Sequence, residues 1–216
     1  MEGEIIMKKL INILVIVLFV VGIGMISYSA YQIISGKIEV EKRLDEARDR
    51  LGNSGDAGFS AKQREKANID PETVSFTTGD VIGILYIPKL DRELPIVEGT
   101  DDAQLSVGVG HYTGTGYPLQ NTQIVLSGHR DTVFKNFKEL EIGDSFVVEL
   151  PYGRFEYVIR DFEVVDADDT TVIGRYTDQE VLTVTTCYPF NWLGNAPDRA
   201  VFWAYPKEET KSALAK

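Results

Sequence analysis

The chain has 216 residues, room for one domain with additions or for two small ones. A composition of 44% hydrophobic and 25% charged residues is that of a globular protein, and a net charge of −11 with no basic stripe excludes a nucleic-acid partner, which needs a cationic face. One cysteine leaves no intrachain disulfide, and two histidines spaced widely from it do not make a structural zinc site.

Residues 10–36 carry no charge, and 10–19 are almost wholly aliphatic. Roughly 25 residues of helix reach about 37 Å, enough to cross a hydrocarbon core of about 30 Å with some tilt. Lys8 and Lys9 ahead of an apolar run also fit a cleaved signal peptide. The run is longer than a signal's apolar region, however, and Ser27-Tyr28-Ser29 is a weak cleavage site. Tyr28 and Tyr31 suit the far membrane interface. Residues 1–36 therefore read as a tail and transmembrane anchor. Lysine and arginine flank both ends, at Lys8 and Lys9 and at Lys37, Lys42 and Arg43, so charge does not assign an orientation.

Residues 37–75 read as a stalk and linker. From Lys37 to Leu51 charges alternate at helical spacing, with Ile38, Val40 and Leu44 as sparse apolar points, which predicts a short solvated helix. A Gly-, Asn- and Ser-rich break at 52–58 follows, then a polar run to about 75.

From 76 to 206 the pattern changes to short apolar or alternating runs at 81–88, 94–97, 122–127, 145–150, 155–165, 181–186 and 200–205, with turn residues between them. This spacing predicts an antiparallel sandwich or barrel, and about 130 residues suffice for one closed β core. Short helical pieces are expected at 101–106 and 134–140, and 207–216 is a polar tail.

Three polar residues fall at the ends of expected strands. His129 follows the 122–127 run in Ser127-Gly128-His129-Arg130-Asp131-Thr132; Cys187 ends the β-branched run Val181-Leu182-Thr183-Val184-Thr185-Thr186; Arg199 opens the last strand after Gly194-Asn195-Ala196-Pro197-Asp198. In a small barrel such ends can converge on one rim. A thiol attacks only as thiolate, which a nearby cation favours. Histidine can protonate a leaving amine and deprotonate an incoming one. Arginine stays charged, so it serves as a hydrogen-bond donor to an oxyanion or substrate carbonyl rather than as a base. The other reading of a lone cysteine is a small buried hydrophobe.

These segments resemble the sortases, membrane-anchored cysteine transpeptidases of Gram-positive cell surfaces. The family pattern is Thr-Leu-x-Thr-Cys at a strand end, with a histidine upstream and an arginine on the next strand. Thr183-Val184-Thr185-Thr186-Cys187 matches with Val184 in place of leucine, Ser127-Gly128-His129-Arg130 matches the histidine segment, and Arg199 stands where the arginine is expected. The resemblance covers roughly 81–205 and implies an eight-stranded β-barrel with catalytic His129, Cys187 and Arg199. It implies cleavage after Thr in a Leu-Pro-x-Thr-Gly/Ala-like sorting signal and transfer of the surface protein, through a thioacyl intermediate, to an amine of a cell-wall precursor. It also implies an extracytoplasmic domain on a single-pass anchor.

Cys187-Tyr188-Pro189-Phe190 and Gly194-Asn195-Ala196-Pro197 are most like class D. Residues 166–179 are too short for the class B helical insertion, and no apolar segment follows Pro206 as in many class C enzymes; class A stays open.

His111, in Gly108-Val109-Gly110-His111-Tyr112, competes with His129 as the base but reads better as a packing residue. The glycines at 108, 110, 114 and 116 make no phosphate-binding spacing, so no cofactor is expected. Asp166, Asp168 and Asp169 lie where some class A sortases bind calcium, but they lack an EF-hand pattern and read as a solvated turn, so no metal is expected. The alternative to an enzyme is a non-catalytic, membrane-anchored β module. An L,D-transpeptidase would need a Ser-His-Gly-Cys segment, which is absent.

Overall fold

Runs of β-branched and aromatic residues fold into eight strands: β1 Val81–Ile87, β2 Arg92–Glu98, β3 Val109–His111, β4 Gln123–Ser127, β5 Ser145–Leu150, β6 Gly153–Asp166, β7 Val181–Tyr188 and β8 Asp198–Pro206. The computed structural model describes residues 2–52, 73–192 and 194–207, with side chains from Met7 onward. The strands close into a barrel in the order β1-β2-β3-β4-β7-β8-β6-β5. Closure removes free sheet edges and encloses a core of Leu85, Ile96, Ile124, Leu126, Phe146, Tyr157, Leu182, Val184 and Phe202.

The barrel is not wholly antiparallel as the spacing suggested. β2 pairs with β3 and β4 pairs with β7 in parallel, and each parallel pair needs a crossover connection rather than a hairpin. Strand β5 and strand β6 form the crossover between β4 and β7. The link from β2 to β3 contains the short helix α2, Asp102–Leu105, within the expected 101–106. At 134–140 a 3₁₀ turn forms at Phe137–Glu139, and Phe134 and Phe137 both enter the core with rings 4.0 Å apart.

The first helix, α1, runs from Glu2 to Arg50. Contacts divide the chain into Met1–Glu39 and Val40–Lys216. In the first unit the apolar side chains from Leu10 to Ile34 are exposed, and the helix is long and apolar enough to cross a membrane. In the second unit the end of α1 differs from the solvated helix read from its charges. Leu44, Ala47 and Leu51, spaced i, i+3 and i+7, are buried against Val81, Ile84 and Val97 on the outside of β1 and β2. Arg48 Nη2 donates to Glu93 Oε2 at 2.8 Å beside them.

A second external cluster forms on β6, β7 and β8, where Val165, Val181, Val201 and Trp203 pack under Val172 and the ring of Tyr176. Buried Gln123 ties this cover down. Its Nε2 donates to the Val172 carbonyl (2.8 Å) and to Thr183 Oγ1 (2.7 Å), and its Oε1 accepts from the Arg175 amide (3.0 Å).

Candidate active site

Strand register brings the three sequence-selected residues together. In the parallel β4–β7 pair Ser127 lies opposite Thr185, so His129 and Cys187, each two residues further on, emerge at the same end of the two strands. In the antiparallel β7–β8 pair Cys187 lies directly opposite Arg199. Cys187 shares its face of β7 with Thr183 and Thr185, since side chains alternate along a strand, whereas Leu182 and Val184 point into the core.

The junction after β4 depends on Gly128. A Cβ there would lie 2.6 Å from the Phe134 ring and 2.7 Å from Val133, so only glycine lets the chain turn over these residues. Its amide donates to the Thr185 carbonyl (3.2 Å), and its carbonyl accepts from Thr186 Oγ1 (2.7 Å). His129 is therefore anchored to the same residues that lead into Cys187.

His129, Cys187 and Arg199 line one cavity of about 480 Å³, whose remaining wall comes from Arg130, Asp131 and Thr132 and from Gly194, Asn195 and Ala196. Cys187 is half-buried and a free thiol. The Arg199 Nη1 donates to the Asp198 carbonyl (3.0 Å) and, more weakly, to the Ala196 carbonyl (3.4 Å), leaving donor capacity on the rest of the guanidinium.

His111 lies elsewhere. It is 1% exposed, with Nδ1 2.6 Å from Glu98 Oε2 and Nε2 3.0 Å from the Gly116 carbonyl. Tyr117 Oη and Thr113 Oγ1 also donate to Glu98, and the Tyr117 ring stacks on the imidazole at 4.5 Å. Burial works against a charged Glu98, but the hydrogen bonds and the adjacent imidazole outweigh it and hold the carboxyl below its ordinary value. A second buried carboxyl, Glu180, accepts from Tyr157 Oη (2.6 Å) and the Leu119 amide (2.8 Å); here burial prevails and raises it.

In the acidic loop Asp166 Oδ1 accepts from the Asp168 amide, and Asp169 Oδ1 accepts from the amide and hydroxyl of Thr171. Among the described residues no group of three or more His, Cys, Asp or Glu side chains is placed to hold a metal ion.

Sequence reasoning passed over Arg130, which sits next to His129 and is buried with its guanidinium turned toward the β7–β8 loop. Its position in the motif was visible; its burial was not.

The family model described as Sortase domain matches residues 85–207. Sortase D of Bacillus subtilis (strain 168) is 44% identical over 195 residues, covering 88% of this chain and 96% of that protein. A Clostridium perfringens sortase D5 transpeptidase shares the fold, with a TM-score of 0.60 at 24% identity over 78% of this chain and 98% of the other. A Clostridium perfringens sortase C, solved with the C-terminal cell wall sorting motif, has a TM-score of 0.56 at 26% identity, covering 78% and 88%.

Proposed function

The chain belongs to the sortase family as a class D homologue, and from that premise we propose that this transpeptidase works through Cys187, His129 and Arg199 on a sorting signal of the Leu-Pro-x-Thr-Gly/Ala type. The observation that carries the assignment is the register that sets the sole thiol opposite Arg199, with His129 lining the same cavity. Membership of an enzyme family weighs against the non-catalytic surface module.

In the proposed cycle the Cys187 thiolate adds to the threonyl carbonyl carbon of the signal, and the carbonyl oxygen becomes an oxyanion that accepts hydrogen bonds from Arg199. The tetrahedral species collapses, the C–N bond breaks, and His129 gives its proton to the departing amine. The surface protein is left as a thioester on Cys187. An amine of a cell-wall precursor then loses a proton to His129 and attacks the thioester; the C–S bond breaks and the thiolate returns. The apolar segment 10–36 holds the enzyme at the membrane, with the barrel on the extracytoplasmic side where both substrates lie.

The test is Cys187→Ala with a Leu-Pro-x-Thr-Gly peptide and an amine acceptor. The expected result is no cleavage and no thioester adduct by mass spectrometry, with the melting temperature kept. Residual turnover near that of the unsubstituted protein overturns the assignment.

A further inference from the structure

Arg130 is a buried cation whose side chain is 5% exposed, while the carboxylate nearest to it, Asp131, is 74% exposed and 3.3 Å from Nε. Taking a guanidinium out of water is costly unless it is well hydrogen-bonded. Here most of the compensation comes from backbone carbonyls of a single loop. Nη1 donates to the Pro189 carbonyl (3.1 Å), and Nη2 donates to the carbonyls of Trp192 (2.6 Å) and Gly194 (2.9 Å).

That loop leaves Cys187 and returns to Arg199. Immediately after Gly194, the Asn195 carbonyl accepts from Trp192 Nε1 (3.0 Å), and the next carbonyl, that of Ala196, accepts from Arg199 Nη1 (3.4 Å). A short chain of hydrogen bonds thus runs from Arg130 through the loop backbone to Arg199. Arg130 lines both the Cys187 cavity and another of about 450 Å³ bounded by Phe134, Lys138, Phe190 and Trp192, and the loop contributes Gly194, Asn195 and Ala196 to the first and Phe190 and Trp192 to the second.

We propose that Arg130 is a positioning residue for the transpeptidase: its fork fixes the β7–β8 loop, and the loop holds the Arg199 guanidinium against the site of the oxyanion. This rests on the catalytic reading of Cys187 and Arg199. Lysine at 130 keeps the charge but has one ammonium, which cannot reproduce the planar fork spanning carbonyls of Pro189, Trp192 and Gly194.

A double-substitution cycle on the full chain in detergent, with a quenched-fluorescence Leu-Pro-x-Thr-Gly peptide, tests it. Arg130→Lys should lower kcat about 10–100-fold with KM within about threefold, because the substituted interaction matters where the oxyanion forms. In an Arg199→Lys background the same change should cost less than about threefold, since residues acting through one another are not additive. Acrylamide quenching should increase in Arg130→Lys, reporting a loosened Trp192, because the other tryptophan, Trp203, is buried. Arg130→Gln carries the same cycle if the lysine variant does not fold. Costs that multiply, an unchanged kcat or unchanged quenching each overturn the role of Arg130 while leaving the catalytic reading intact. Full activity in Arg199→Lys removes the oxyanion contact through which Arg130 is proposed to act, and full activity in Cys187→Ala removes both readings.

Discussion

Arg199 and Cys187 face each other across one rung of the β7–β8 ladder, so a change at 199 can act on the thiol or on the substrate oxygen, and the two are separable. If directed donation dominates, Arg199→Lys should cost roughly 10²–10³ in kcat with little change in the pH profile of Cys187 alkylation. A mild Arg199→Lys together with an upward-shifted alkylation profile in Arg199→Ala would make Arg199 a thiolate stabiliser instead. The histidines divide differently. His129→Ala should lower kcat/KM by at least about 10²-fold in a folded protein. His111→Ala deprives buried Glu98 of its closest partner and should appear as lost stability, about 3–5 kcal/mol by chemical denaturation, with far less effect on turnover. That His129 follows a strand was legible in the sequence; the Glu98 network was not, because nothing local says that 98, 111 and 117 meet. The buried carboxyls also predict opposite pH responses. Glu180 is raised above the ordinary 4.5, so its contribution is present at low pH and is lost as pH rises through the raised value. Stability of Glu180→Gln relative to the parent should therefore increase with pH across that window, and a flat difference would contradict it. Glu98 is lowered, so its contribution is lost as pH falls through its folded value.

At the scale of elements, the strands with β-branched runs were readable and the pairings were not. β3 is only Val109–His111 and lies among glycines, so it lacks the length that marks a strand by pattern. The parallel seams depend on partners far apart in sequence, which composition does not encode. The end of α1 was misread for a physical reason: its apolar stripe is Leu44, Ala47 and Leu51, and an alanine among charges contributes little to a pattern yet here is wholly buried. That stripe gives a prediction. In a fragment beginning at Val40, Ala47→Asp would place a carboxylate against Val81, Ile84 and Val97 and should destabilise the barrel by about 1–3 kcal/mol. The melting temperature should fall by roughly 2–4 °C per kcal/mol. An unchanged melting temperature would mean that the helix end contributes nothing to the barrel.

For the whole molecule, one thiol in 216 residues serves as its own topological reporter. Treating intact cells with a membrane-impermeant maleimide should modify Cys187, which is half-buried rather than enclosed, if the barrel faces outward as proposed. Labelling only after lysis would place it inside. The parallel seam between β4 and β7 has a further consequence, in folding. Its rungs, from Gln123 opposite Val181 to Ser127 opposite Thr185, join segments separated in sequence by the whole of β5 and β6. Such non-local pairing is slow, because loop closure precedes the contacts that reward it. His129 and Cys187 lie on the two sides of that seam, so the cavity they line depends on a non-local pairing. Without that pairing the thiol stands apart from these neighbours, so on the proposed assignment the transpeptidase needs the closed barrel, not only the Cys187 strand, in order to act.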